Sequence, residues 1–193
     1  DLPQVSSLSN PDQTEWYGVS TLRIHWNLQE GSQYSFELSK DPLAEPDHTP
    51  DRPEGQLLWI GDMEYPWLGE GIYYFHLREC RASEGAGDCA WGPKSTFRIM
   101  MDAASPEEFQ PEIREIDGVK HLVFGTRDGL SGIDHYEVAQ DRLRTFFGMV
   151  WGKRPTPETW EIAQSPFLLE DQTLESVIAV KAVDKAGNQR IAK

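Results

Sequence analysis

Two stretches of the chain share one pattern: an alternating segment, a tight turn and a short returning segment. The first covers residues 71–99 and the second covers residues 175–191. Alternating apolar and polar residues are typical of a half-buried β-strand, and two such segments joined by a short Gly-containing loop predict a β-hairpin. The duplication therefore predicts two successive β domains, which we place at residues 1–101 and 102–193.

The composition agrees with β domains and narrows the range of partners. Gly, Pro and Asp interrupt the chain repeatedly, and the 38% hydrophobic content with seven Trp suffices for two small cores. The net charge of −14 would repel a nucleic acid or an anionic membrane surface. No segment approaches the roughly 20 apolar residues of a membrane helix. We therefore expect neither nucleic-acid binding nor insertion into a membrane.

The two cysteines, Cys80 and Cys89, flank a Gly-rich loop between the strands of the first hairpin. A disulfide there would stabilise the fold by roughly 2–3 kcal/mol on the chain-entropy model. The alternatives are two free thiols in a reducing cytosol or a metal pair, although no second pair of metal ligands accompanies them. We predict the disulfide, which implies an exported protein.

The first predicted domain carries a recognisable turn. Residues 67–73 read Trp-Leu-Gly-Glu-Gly-Ile-Tyr, and Phe75 and Leu77 follow with the same inward parity as Tyr73. This piece resembles the turn before strand F of fibronectin type III domains, where the Tyr hydroxyl bonds back to nearby backbone. The resemblance covers most of residues 16–99 and implies an antiparallel β-sandwich.

The second predicted domain carries two loop motifs. Residues 128–138 read Asp-Gly-Leu-Ser-Gly-Ile-Asp-His-Tyr-Glu-Val, and residues 182–188 read Ala-Val-Asp-Lys-Ala-Gly-Asn. Both resemble motifs that bracket the immunoglobulin-like repeats of large bacterial surface proteins, over about residues 109–193. Together the resemblances imply an all-β chain of two tandem immunoglobulin-like or fibronectin type III-like antiparallel β-sandwiches.

A calcium site is the one metal site with a geometric argument. In an immunoglobulin-type sandwich the BC and FG loops lie at the pole that carries the N-terminus, so acidic residues from those loops and from the linker would converge. The candidate ligands are Asp102, Asp128, Asp134, Asp184 and Asn188. Calcium requires six to eight oxygen ligands, but Asp and Asn also suit turns for their own backbone hydrogen bonding. Both interpretations stay open, and the sequence requires no cofactor.

Aromatic residues near loops form the second candidate site. These residues are Trp16, Tyr17, Tyr65 and Trp67. An exposed Trp can stack on a sugar ring or pack into a partner, while the same residues can also fill the joint between two domains. We expect either a ligand-binding or an interdomain role for them.

Catalytic patterns are missing from the sequence. The histidines show no His-x-x-x-His spacing, and we find no Gly-x-Ser-x-Gly elbow and no phosphate-binding Gly loop. His25 and His76 fall on outward faces of strands, where a solvated or cross-strand role is expected. Residues 40–55, acidic and rich in Pro, are predicted to be a solvated connection.

The sequence thus predicts a pair of non-enzymatic extracellular modules, a structural or adhesion segment of a bacterial cell-surface protein. Its expected partners are a protein or glycan at the cell surface and the neighbouring domains of a longer chain. The alternatives are a carbohydrate-binding module that uses exposed Trp, or accessory domains of a larger secreted enzyme.

Overall fold

The structure is a computed structural model that describes residues 2–51, 61–82, 89–142, 144–146, 149–151 and 159–192, with the backbone alone at 82, 89, 142, 144–146 and 149–151. The chain divides into two compact units, Asp1–Ala103 and Ala104–Lys193, each of which is described by itself. The prediction of an all-β fold is confirmed, since sixteen antiparallel strands make up the regular structure of the described residues.

The first unit contains seven strands in two sheets. They are β1 Val5–Ser7, β2 Leu22–Trp26, β3 Ser32–Ser39, β4 Asp62–Tyr65, β5 Gly71–Ala82, β6 Cys89–Trp91 and β7 Ser95–Met101. One sheet has the order β1-β2-β4. In the other sheet, β5 pairs with β3 on one side and with β7 and then β6 on the other.

The core of the first unit lies between these two sheets. Trp26 on β2 is fully buried and contacts Phe36 on β3 and Phe75 on β5, with ring centroids 5.4 and 5.5 Å apart. Burial of large aromatic rings contributes most to a small core, because each ring removes a large apolar area from water. The hydroxyl of Tyr73 donates to the Gly69 carbonyl at 2.8 Å, which confirms the predicted tyrosine turn.

The second unit contains nine strands. They are β8 Glu112–Ile116, β9 Val119–Val123, β10 Ile133–Arg142, β11 Arg144–Phe146, β12 Met149–Trp151, β13 Trp160–Ala163, β14 Phe167–Leu168, β15 Ser176–Asp184 and β16 Gln189–Ala192. The sheets have the orders β14-β9-β8 and β13-β10-β15-β16, and β11 and β12 pair with each other. Asp117 and Gly118, both with positive φ, form the predicted turn between β8 and β9.

The core of the second unit also draws on both of its sheets. Leu122 and Phe124 on one side meet Val138 and Val180 on the other, and all four side chains are buried. These are the inward positions that alternation along the strands predicted, because successive side chains of a strand point to opposite faces. Each unit is therefore built as two packed antiparallel sheets, an arrangement consistent with a β-sandwich.

Residues 41–51 of the first unit, which we call the strap, lie against the outer face of the sheet that contains β3 and β5. Arg78 on β5 donates to the Glu45 carboxylate and to the Gly92 carbonyl, and Lys94 donates to the Ala44 carbonyl at 2.6 Å. At the other end, Asp51 accepts from the Phe36 N–H at 2.7 Å. The strap is largely exposed, as predicted, but it is a fixed cover rather than a free connection.

The strap also decides between the two roles expected of His76, a solvated one and a cross-strand one. His76 is fully buried and not solvated, because the strap closes over its outward-facing side. Its Nδ1 contacts the hydroxyl of its cross-strand partner Thr96 at 3.0 Å, and its Nε2 contacts the carbonyl of Asp41 at 3.0 Å. Both ring nitrogens are thus satisfied by protein groups, as burial of a polar ring requires.

Candidate functional site

Two of the predicted calcium ligands meet in the second unit. Asp128 follows β9 in the loop that leads to β10, and Asp184 is the last residue of β15. Their carboxylate oxygens lie within 4.8 Å of each other. Two converging carboxylates are the beginning of a hard-cation site, but calcium needs several more oxygen ligands.

The Asp128 carboxylate organises its own loop. Its Oδ1 accepts hydrogen bonds from the backbone N–H of Leu130 at 3.0 Å and of Gly132 at 3.0 Å, and from the hydroxyl of Ser131 at 3.3 Å. Gly132 has φ of +77°, which a glycine adopts at no steric cost. Asp128 therefore acts as the cap of the Asp-x-x-Ser-Gly turn.

The Asp184 carboxylate caps the turn of the last hairpin, between β15 and β16. Its Oδ1 accepts from the N–H of Ala186 at 2.9 Å and of Asn188 at 2.8 Å, and its Oδ2 accepts from Asn188 Nδ2 at 2.9 Å. Asp184 is buried, so these donors replace the water that the charged group has lost. Asn188 serves this turn as a donor through its amide nitrogen.

The other two predicted carboxylate ligands are Asp134 and Asp102. Asp134 is exposed, and its Oδ2 lies 2.6 Å from Nδ1 of His135. Asp102 is buried at the end of the first unit, where its backbone N–H donates to the Tyr17 carbonyl at 3.1 Å. The calcium assignment stays a prediction, and the hydrogen bonds of Asp128 and Asp184 favour the turn interpretation of those two carboxylates.

Three of the four candidate aromatic residues belong to the body of the first unit. Trp16 and Tyr17 are half-buried, and Tyr17 pairs through its backbone with Met101. Tyr65 packs edge-on against Phe75 at 6.3 Å, and burial raises the pKa of its phenol. These residues contribute to packing, because their rings are partly or wholly removed from water.

Trp67 differs from the other three because its side chain is 84% exposed. It follows β4 in a turn that returns beside β2, where the N–H of Leu68 donates to the Ser20 carbonyl at 2.9 Å. Its φ is +58°, a left-handed conformation that bulky L-residues rarely adopt.

The outer face of the β1-β2-β4 sheet lies next to this turn. On that face Arg23 forms a cross-strand ion pair with Glu64 at 3.0 Å, and Nδ1 of His25 lies 2.6 Å from Oδ1 of its cross-strand partner Asp62. A shallow cavity of about 450 Å³ opens beside them, and its lining consists of Leu8, Ser9, Gly18, Val19, Ser20, Thr21 and Arg23. Sequence reasoning placed Arg23 and His25 outward by alternation, but it could not find their partners on β4.

Of the two cysteines, only Cys80 has a described side chain. Cys80 is fully buried and disulfide-bonded. In the β5–β6 hairpin, Cys80 lies opposite Trp91, and Cys89 lies opposite Ala82. The side chain of Cys89 is outside the described part, so its pairing with Cys80 stays a prediction.

His135 lies between two carboxylates in the second unit. Its contacts with Asp134, and secondarily with Glu137, raise its pKa. Both ring nitrogens face carboxylates, at 2.6 Å for Asp134 and 3.2 Å for Glu137. A general base for a hydroxyl nucleophile needs one free nitrogen, and this histidine has none. Its contacts are those of an ion-pair network that also includes Lys181.

Comparison with known proteins gives no family for this chain. Neither the protein-family models nor the curated protein sequences contain a match to it. Within the described ranges, no helix has the length and apolar character that crossing a bilayer requires.

Proposed function

We propose that this chain is a pair of non-enzymatic extracellular modules that acts as a structural or adhesion segment of a bacterial surface protein. The observation that carries the proposal is the shared order of strands in the two units. In both, the first two strands of the unit pair with each other and with one later strand to form one sheet, as β1-β2-β4 and as β8-β9-β14. The opposite sheet is centred on a long strand that ends in the last hairpin, β5 or β15.

This order supports the fibronectin-type and immunoglobulin-like assignment. In such sandwiches strands A, B and E form one sheet, strands C, F and G form the other, and the crossing connections are of the Greek-key type. A tyrosine turn precedes β5 in the first unit, where Tyr73 bonds to Gly69. Folds of this type host many unrelated functions, so the function rests on surfaces rather than on the architecture.

The disulfide at Cys80 supports an exported location. Disulfide bonds persist in oxidising compartments, whereas cytosolic thiols are kept reduced. Burial of Cys80 keeps the bond away from dissolved reductants, as expected for a structural disulfide rather than a redox-active one.

The surroundings of the polar side chains support a non-catalytic role. His76 is sealed beneath the strap, and His135 is held between carboxylates. Asp128 and Asp184 are occupied by the turns that they cap. These four side chains are therefore committed to structural contacts.

Two other functions are alternatives to the structural or adhesion role. Accessory domains of a larger secreted enzyme would have the same folds and could use the same polar side chains for structural contacts. A carbohydrate-binding role is favoured by one specific observation, the solvent-exposed indole of Trp67.

Antibody labelling of intact and permeabilised cells that express the native parent protein tests the location. Labelling of intact cells with antibody against this chain supports a surface role. Signal that arises only after permeabilisation of the whole envelope contradicts it. Reproducible turnover by the purified chain in esterase, phosphatase and glycosidase screens would contradict the non-enzymatic part.

A further inference from the structure

Trp67 is held in a conformation that has a steric cost. Its φ of +58° places the residue in the left-handed region, where the Cβ of an L-residue crowds the carbonyl oxygen that follows. Glycine or asparagine would satisfy the same turn with less strain. The residue at this turn is instead a tryptophan, which has the largest side chain, and it is 84% exposed. Stability does not explain this choice, and strain of this kind occurs at binding sites.

The turn that carries Trp67 is fixed on both sides. The Leu68 N–H donates to the Ser20 carbonyl at 2.9 Å, and the Tyr73 hydroxyl donates to the Gly69 carbonyl at 2.8 Å. The indole is therefore displayed by an ordered backbone. A ligand that stacks on it does not have to order a loop, which lowers the entropic cost of binding.

The surface beside this turn is polar. Ser20, which anchors the turn, also lines the cavity of about 450 Å³ next to β2. Ser9, Thr21 and Arg23 line the same cavity. The Ser9 hydroxyl is already bonded to Asn10 Oδ1 and to the Arg23 N–H, so Thr21 and Arg23 supply the polar side chains of this lining. Arg23 and Glu64 are 62% and 54% exposed, so both remain open to a ligand although they are paired. The surface thus combines one flat apolar ring with several hydrogen-bonding groups.

We propose that this surface, formed by Trp67 and the cavity at Ser9, Ser20, Thr21 and Arg23, binds a neutral oligosaccharide. A pyranose ring has an apolar face of C–H groups, which suits the negative face of an indole, and a rim of hydroxyls that needs donors and acceptors. The net charge of −14 disfavours polyanionic glycans. The inference rests on the proposed adhesion function and names its ligand class.

The test begins with the full chain on an array of neutral and anionic oligosaccharides, followed by titration of the strongest neutral hit with tryptophan fluorescence or calorimetry. Trp67→Ala is expected to weaken binding by about tenfold or more, because it removes the stacking surface. Leu43→Ala is the matched control, since Leu43 is 78% exposed in the strap of the same unit. That control is expected to bind as the unchanged chain does.

Trp67→Gly separates binding from folding. It is expected to lose binding like Trp67→Ala while its midpoint of thermal unfolding stays equal or rises, because glycine relieves the left-handed strain. Absence of binding to every neutral glycan overturns the inference, and so does equal binding by Trp67→Ala. Exclusive binding to anionic glycans or to a protein partner also overturns it. None of these outcomes affects the surface location, which cell labelling tests separately.

Discussion

Asp184 accepts three hydrogen bonds inside its own hairpin, and the sequence could not reveal this arrangement. The pattern Asp-x-Ala-Gly-Asn predicted a turn, and a turn is present at residues 184–188. Whether the carboxylate binds an ion or its own backbone depends on where its oxygens point, because both roles use the same atoms. The residue types therefore predicted the place but left the role open.

Asp184→Ala is expected to destabilise the second unit by about 2 kcal/mol, because it leaves buried N–H donors without their charged acceptor. Asp184→Asn is expected to lose less, since its carbonyl oxygen can still accept from the turn. Urea unfolding with and without EDTA measures both effects. A turn cap predicts that EDTA changes neither the parent chain nor the variants. Loss of stability of the parent chain in EDTA, with no effect on Asp184→Ala, would instead identify a calcium ligand.

At the scale of an element, the position of the strap could not be predicted from the alternation of residues along a single segment. Strand β2 follows the predicted alternation, since Leu22, Ile24 and Trp26 are buried and the residues between them are not. The strap has no such alternation, and it is fixed by Arg78 and Lys94, which lie more than thirty residues further along the chain. Such contacts depend on the assembled sheet, so a local pattern does not contain them.

The strap gives a pH prediction. Hydrogen bonds from Arg78 and then Lys94 lower the pKa of Glu45 from 4.5 to about 2. A lowered pKa means that the carboxylate stabilises the fold above pH 4.5 and that this contribution is lost as the pH falls through about 2. Glu45→Gln is therefore expected to lower the thermal midpoint modestly at pH 7, with the difference vanishing near pH 2.

Thermal unfolding of the parent chain and Glu45→Gln over this pH range provides the measurement. Glu64→Gln is the control, because its pair with Arg23 is exposed on both sides and is expected to contribute almost nothing. A difference between Glu45→Gln and the parent chain that grows on acidification would refute the strap contact.

A repeated contact in the two units also escaped sequence reasoning. The Tyr34 hydroxyl on β3 accepts from the Gln29 N–H at 2.8 Å, and the Tyr136 hydroxyl on β10 accepts from the Thr126 N–H at 2.8 Å. Each tyrosine ties its strand to the loop that precedes it. The alternation along each strand predicted that both rings point inward. It could not predict the hydrogen bond between each hydroxyl and the backbone, because the hydrophobic pattern does not depend on that contact.

At the scale of the whole molecule, the predicted Cys80–Cys89 disulfide supports the proposed exported location, because disulfide bonds persist in oxidising compartments. We expect Cys80 to be bonded to Cys89, because these are the two cysteines of the chain and Cys80 is not free. Alkylation of the denatured, unreduced protein followed by intact-mass measurement should add no label, while prior reduction should allow both cysteines to react. Labelling of both cysteines without reduction contradicts the extracellular account.

The duplicated hairpin was the strongest sequence signal of the whole chain, because it reports two similar endings without needing any distant contact. The predicted domain boundary after residue 101 lies two residues before the end of the first compact unit at Ala103. What the pattern could not supply was the identity of a binding surface, since Trp67 is distinguished from the other loop aromatics only by its exposure and backbone conformation.

The central claim is that the chain consists of two self-contained β-sandwich modules, each with its own core. Its most direct test is separate expression of residues 1–103 and 104–193, followed by circular dichroism, NMR spectra and thermal unfolding of each piece. The account predicts a β-type spectrum, well-dispersed amide signals and one cooperative transition for each piece alone. A piece that stays unfolded on its own, or a spectrum dominated by α-helix, would contradict it.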